Sequence, residues 1–122
     1  MIGRAGFVAR WAPPVLWMGL IFTLSSRTLP PGVSSVPDWL LHGIAYGILA
    51  ALFHRALAGR LWRARARLPT LAGVFLLTVL YGASDELHQS FVQGRTAEAR
   101  DVFSDAVGAA LALALIALGA ER

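Results

Sequence analysis

The chain has 122 residues, of which 57% are hydrophobic and only 15% are charged, and its net charge is +4. The length allows one domain, and so small a charged fraction excludes a disordered chain. The absence of cysteine excludes disulfides and thiolate metal sites. All 11 basic residues are arginines scattered along the chain, so we expect no nucleic-acid partner.

Four stretches are long and apolar enough to cross a membrane, for which a helix needs roughly 20 mostly apolar residues. They cover about residues 7–24, 38–57, 68–89 and 101–120. The sequence therefore predicts an all-α, four-helix transmembrane bundle with short loops, and one domain over residues 1–122. The first span could instead be a signal peptide after Arg4 and Arg10, but no small-residue cleavage site follows it and three further spans do.

The later spans place polar residues three or four positions apart, the spacing that puts side chains on one face of a helix. The three stripes are Asp38, His42 and Tyr46; Tyr81, Asp85 and His88; and Asp101, Ser104, Asp105 and Gly108. Beside the first stripe, Gly43 and Gly47 would let another helix approach closely. We therefore expect carboxylates and histidines to share one cavity.

Arginine bias across the short loops predicts the orientation. The connection between the second and third spans carries Arg55, Arg60, Arg63, Arg65 and Arg67. These arginines mark the connection as cytoplasmic and are explained as topology determinants and contacts with anionic membrane lipids. With four spans, both termini are then cytoplasmic, and the polar ends of all four spans lie near the outer leaflet.

Ionised side chains are costly inside a bilayer, so their concentration at one end of the bundle calls for an explanation. Neighbouring carboxylates can exchange a proton, which suits acid–base chemistry. Asp, Glu and His also bind divalent metals, so a divalent metal is a candidate cofactor. Arg95 follows a glycine and suits the oxygens of a phosphate.

Two segments carry a resemblance to a known family. The third span ends in residues 84–95, SDELHQSFVQGR, and Asp101-Val102 and Gly108 follow. Together they resemble the signature of the VanZ-like family of small bacterial membrane proteins. Residues 38–46, DWLLHGIAY, resemble that family's second motif, D-K-x-x-H-x-x-x-Y. Trp39 stands where the family usually has lysine and Asp105 where it usually has asparagine, which argues against a mechanism that uses that lysine.

The resemblance implies a multi-pass protein of the bacterial plasma membrane and the cell envelope. Through the family's founding member, it also implies a link to resistance to the glycopeptide antibiotic teicoplanin. Within this frame, the residues assigned to catalysis are Asp85, His88, Asp101, Asp38 and His42. The residues assigned to substrate binding are Arg95, Glu86, Gln89, Ser25 and Asp105.

Each assignment has a structural alternative. Asp38 can complete a capping box with Ser35 at the start of the second span. His42 alone can be a hydrogen-bonded histidine of the bundle. Glu86 points some 100° away from Asp85 on a helix and can meet solvent or Arg95 instead.

Two functions from different classes fit these observations. The first is a membrane enzyme or lipid-handling site, open to the outer leaflet, for a phospholipid, a polyprenyl-linked wall precursor or another amphiphile. The second is a non-catalytic protein that binds a glycopeptide, a lipid or a partner protein, its polar cluster being structural. A proton pathway is weaker, because the inner halves offer few ionisable groups apart from His54 and Arg55. The sequence names neither the reaction nor the oligomeric state.

Overall fold

The computed structural model describes residues 3–26, 37–59, 67–92 and 99–119. These residues form four helices, α1 (Arg4–Ser25), α2 (Asp38–Ala58), α3 (Leu68–Gln89) and α4 (Ala99–Gly119). Each helix is long and apolar enough to cross a membrane. The predicted all-α fold with four spans is confirmed, and every predicted boundary lies within three residues of the observed one.

Local sequence explains where two of the helices begin and end. α3 has Pro69 in its first turn, where the missing N–H costs no intrahelical hydrogen bond. α2 is capped at its C-terminal end by Gly59, whose φ of 82° lies in the left-handed region that favours glycine. The predicted capping box before α2 is wrong. In that box Asp38 would be the third helical residue, whereas in the structure Pro37 is the cap and Asp38 is the first helical residue.

The closest helix pair is α2 and α4, and glycines make this approach possible. A Cβ atom added to Gly47 would lie 3.1 Å from the carbonyl oxygen of Gly108. A Cβ atom added to Gly108 would overlap the carbonyl group of Gly43. The prediction that the Gly43–Gly47 pair admits another helix is therefore confirmed, and α4 is that helix.

Two aromatic side chains connect α1 to its neighbours. The Trp17 Nε1–H group donates a hydrogen bond of 2.9 Å to the carbonyl oxygen of Ala45 on α2. The Tyr81 hydroxyl on α3 donates one of 2.7 Å to the carbonyl oxygen of Met18. These bonds fix α1 beside the ends of α2 and α3 that carry the polar residues.

The apolar core runs along the bundle interior, while many large apolar side chains on all four helices face outward. The buried core comprises Ile21, Tyr46, Leu49, Ala50, Phe53, Val74, Ala109, Leu113 and Ile116. Outward-facing examples include Leu16, which is 72% exposed, and Leu111, which is 62% exposed. Such a surface is stable against lipid rather than water, and with four spanning helices it makes the chain a multi-pass membrane protein.

Candidate functional site

Every buried carboxylate that the structure describes lies where α1 and α3 end and α2 and α4 begin, which we call the polar end. The buried polar residues there are Ser25, His42, Asp85, Glu86, Gln89, Asp101 and Asp105. They meet because the helices alternate in direction, so that the last turns of α1 and α3 lie beside the first turns of α2 and α4. In the described part of the chain, the structure thus brings carboxylates together with one of the two histidines that the sequence pattern placed there, His42.

His42 lies at the centre of this group. Its Nδ1 atom is 2.9 Å from Oδ1 of Asp105, which is completely buried. Its Nε2 atom is 3.9 Å from Oδ2 of Asp38 and 3.9 Å from Oδ2 of Asp101. We call Asp38, His42, Asp101 and Asp105 the His42 cluster. Asp38 and His42 are one turn apart on α2, as are Asp101 and Asp105 on α4, so two short sequence spacings build it.

The hydrogen bond to Asp105 determines how the imidazole of His42 can be used. When Asp105 is ionised, its carboxylate only accepts hydrogen bonds, and Nδ1 then carries the proton that is donated to Asp105. In a neutral ring, Nε2 then presents its lone pair towards Asp38 and Asp101. One donor atom from each of Asp38, His42 and Asp101 lies within 4.8 Å of the others, so these three residues could hold a metal ion.

α3 adds two further carboxylates to the polar end. The Tyr46 hydroxyl donates a hydrogen bond of 3.1 Å to Oδ2 of Asp85, and the Tyr46 ring lies nearly parallel to that of His42. Asp85 and Glu86 are both close enough to interact electrostatically with Asp105. The residues of α3 therefore complete a network that connects three helices.

Gly82 provides the space in which Asp105 lies. A Cβ atom at Gly82 would be 2.5 Å from Oδ2 of Asp105 and 3.2 Å from its Cβ atom. That Oδ2 atom is buried and has no hydrogen-bond partner among the residues that the structure describes. A larger residue at position 82 would displace the carboxylate that orients His42.

A pocket of about 260 Å³ lies beside the His42 cluster, between α1, α2 and α3. One part of its wall is apolar and the other carries hydroxyl, imidazole, amide and carboxylate groups. The lining residues are Ile21, Leu24, Ser25, Asp38, Leu41, His42, Ala45, Tyr46, Asp85 and Gln89. Gln89 Nε2 donates a hydrogen bond of 3.4 Å to Ser25 Oγ, which connects α3 to α1 at this pocket.

Comparison with known proteins identifies the family. A family model described as VanZ/LLP1 matches residues 11–119, which include both motifs, most of α1 and all of α2, α3 and α4. The chain belongs to the VanZ/LLP1 family. Neither the curated proteins nor the solved structures include a match to it.

In this VanZ/LLP1 chain, most of the site residues predicted from the sequence lie together. Asp38, His42, Asp101 and Asp105 form one cluster, and Asp85 joins it through Tyr46. Ser25 and Gln89 line the adjoining pocket.

Three predicted site residues are not among the residues of the His42 cluster or the lining residues of the pocket given above. The His88 ring is half-buried and stacks on Phe22 of α1 with 4.4 Å between ring centroids, so His88 is not among the residues of the cluster or the pocket. Glu86 is 6% exposed, so the alternative that it meets solvent is wrong. Arg95 lies outside the described residues.

Sequence reasoning missed two features of the VanZ/LLP1 site. It placed Tyr46 on one stripe with Asp38 and His42 but did not predict that the Tyr46 hydroxyl bonds Asp85 on α3. It also passed over Gly82, which makes room for Asp105. Gly82 lies three residues before Asp85, so a small residue on the polar face of α3 was the available signal.

Proposed function

We propose that this VanZ/LLP1 protein binds the head group of an amphiphilic envelope lipid at the polar end of the bundle. The observation that supports this function best is the two-sided wall of the pocket. Ile21, Leu24 and Leu41 offer apolar surface, while His42 and Asp85 offer polar groups a few ångströms away. A molecule with both characters, such as a phospholipid or a polyprenyl-linked wall precursor, matches such a wall.

The size of the pocket agrees with a head group rather than a complete lipid. Ligand pockets usually have volumes of roughly 300–1,000 Å³, and the pocket of about 260 Å³ lies just below this range. In the proposed complex, the tail stays against the apolar outer surface of the helices, and only the head group contacts His42 and Asp85. The tail needs no cleft formed by small residues, because lipid already surrounds the bundle.

The proposal places the polar end at the outer leaflet of the bacterial plasma membrane. The support is the arginine bias, since Arg55 in the last turn of α2 and the four arginines between α2 and α3 belong to the opposite end of the bundle. Both termini are then cytoplasmic, and the pocket is close to lipids that carry wall precursors. A role in glycopeptide resistance would follow if the bound lipid is one that teicoplanin-type antibiotics act upon.

The polar wall also offers the groups needed for chemistry on a head group. His42, oriented by Asp105, is arranged as a general base or acid beside the pocket. Asp85 could take the second role in proton transfer. The pocket directly supports binding of the lipid, and catalysis on the bound head group is a further step.

A second candidate is a non-catalytic protein whose polar cluster only holds helices together. The hydrogen bonds from His42 to Asp105 and from Tyr46 to Asp85 favour it, since each joins two different helices. This candidate predicts that substitutions in the His42 cluster lower the free energy of unfolding and do not alter the binding of any specific ligand.

The test is lipid binding by purified protein in nanodiscs, with phosphatidylglycerol and a polyprenyl phosphate as probes. Ala45→Phe fills the pocket without removing a polar group, and Ala72→Phe makes the same change at an exposed position on α3. We expect saturable binding of one probe that Ala45→Phe weakens at least tenfold and Ala72→Phe leaves unchanged. Absence of saturable binding for both probes, or equal loss in both variants, would contradict the lipid site.

A further inference from the structure

We propose that Asp38, His42 and Asp101 form a binding site for one divalent metal ion at the edge of the pocket. The ligands are Nε2 of His42 and one carboxylate oxygen from each aspartate. The inference deepens the proposed function, on which it rests in one respect: the ion is placed where it can contact a bound head group.

The distances from the His42 nitrogen to the two carboxylate oxygens suit a single ion, and all three ligand atoms lie within 4.8 Å of one another. Zn²⁺ binds imidazole nitrogen and carboxylate oxygen at about 2.0–2.2 Å, so two of its ligand atoms lie at most roughly 4.4 Å apart. Nε2 of His42 is 3.9 Å from Oδ2 of Asp38 and 3.9 Å from Oδ2 of Asp101. These separations are also too long for direct hydrogen bonds. The three side chains thus face one another without bonding directly through these atoms.

A second, independent observation is the partner of the other imidazole nitrogen. Histidines that bind metals usually donate their remaining ring N–H group to a carboxylate or a carbonyl group, which fixes the tautomer and the orientation of the ring. The 2.9 Å contact between Nδ1 of His42 and Oδ1 of Asp105 is this arrangement. Because His42 is only 9% exposed, its lone pair at Nε2 has few directions available, and Asp38 and Asp101 lie there.

The charge of the polar end also favours a cation. Carboxyl groups of Asp38, Asp101 and Asp105 surround the imidazole of His42, and those of Asp85 and Glu86 lie close to Asp105. Arg100 is the one arginine that the described residues place at this end. A bound divalent ion is often the largest local charge in a site, and its positive sign suits this group of carboxylates.

The ligand set indicates which ion to expect and how it enters. One imidazole and two carboxylates suit Zn²⁺ or Mn²⁺ better than the soft Cu(I) ion, which prefers sulfur ligands. The side chain of Asp38 is 58% exposed, and Asp38 and His42 both line the pocket, which provides an entry path. Three protein ligands leave a coordination position for water or for an oxygen atom of the head group, as in catalytic zinc sites. Such an ion would make the acidic wall compatible with a phosphate head group, and with Nε2 coordinated, proton transfer would fall to Asp85 rather than to His42.

The test is metal binding by the complete chain in detergent micelles, after removal of bound metal with a chelator. Zn²⁺ and Mn²⁺ are titrated calorimetrically, and Co²⁺ serves as a spectroscopic probe of the ligands. We expect one ion per chain, and about 100-fold weaker binding for His42→Gln and for Asp101→Asn. His88→Gln is the matched control, because the His88 ring stacks on Phe22 instead. Circular dichroism and gel filtration establish that each variant is folded.

The outcomes separate this inference from the proposed function. Absence of binding by the wild-type chain, or equal affinity in the wild type and His42→Gln, would overturn the metal site. If the chain binds no metal but still binds lipid, and Ala45→Phe weakens that lipid binding, the proposed function stands. Conversely, an ion bound through His42 without saturable lipid binding would support the metal site and contradict the proposed function. Loss of metal binding in Asp105→Ala by about 10–100-fold would support the orienting role of Asp105.

Discussion

The side chains of His42 and Asp105 meet between α2 and α4, with 2.9 Å between Nδ1 and Oδ1, and Asp105 is completely buried. This contact is possible because Gly43 and Gly108 let the two helix backbones approach closely nearby. The same contact orients His42 towards Asp38 and Asp101. Helix packing and the chemistry of the polar end therefore depend on one another.

The first prediction concerns Asp105. Asp105→Asn keeps an oxygen that can accept the hydrogen bond from Nδ1 of His42, and the free energy of unfolding should change by less than about 1 kcal/mol. Asp105→Ala leaves a buried N–H group without its acceptor and should lower that free energy by about 1–3 kcal/mol. Unfolding with SDS in mixed micelles measures both values. Equal stability of the two variants would show that the contact does not stabilise the fold.

The second prediction concerns the glycine contact between α2 and α4. Gly108→Ala places a methyl group against the carbonyl group of Gly43, and the helices must separate. Overpacking of this kind costs about 1–3 kcal/mol of unfolding free energy. Gly73→Ala is the matched control, since no atom lies within 4 Å of its added Cβ, and the better helix propensity of alanine should stabilise α3 by up to about 1 kcal/mol. Thermal unfolding that ranks Gly73→Ala at or below Gly108→Ala would refute this account of the packing.

The helices and the polar stripes could be predicted because local rules determine them. Length and apolarity define each span, and a spacing of four places Asp38 beside His42 whatever the rest of the bundle does. The Gly43–Gly47 pair similarly indicates a contact surface on α2. These features need no knowledge of which helix is the neighbour, and the structure agrees with all of them.

The choice of neighbour could not be predicted in the same way. His88 resembles His42 in the sequence, since each lies near carboxylates at helical spacing, yet the His88 ring stacks on Phe22 of α1. Which face of α3 meets α1 depends on packing between helices, to which the hydrogen bond from Tyr81 to the Met18 carbonyl contributes. The capping-box prediction failed for another reason, because Pro37 precedes the first helical residue and moves the start of α2 to Asp38.

The third prediction concerns His54, which lies on α2 far from the polar end. It is completely buried, and neither ring nitrogen has a hydrogen-bond partner in the described ranges of the chain. Burying a polar group without a partner is unfavourable, so His54→Leu should raise the free energy of unfolding by about 1 kcal/mol or more. His54→Gln, which keeps a polar group, should not. A large loss of stability in His54→Leu would instead show that the imidazole makes a stabilising polar interaction.

The fourth prediction concerns orientation in the membrane. The chain contains no cysteine, so single cysteines can be introduced without background. In intact cells, a membrane-impermeant maleimide should modify Gly94→Cys, in the connection between α3 and α4, and should leave Arg63→Cys unmodified until the cells are permeabilised. The physical reason is that arginine-rich short loops remain on the cytoplasmic side. The wild-type chain, which should never react, is the control for labelling. Modification of Arg63→Cys from outside would reverse the orientation and place the His42 cluster at the inner leaflet, away from any lipid of the outer leaflet.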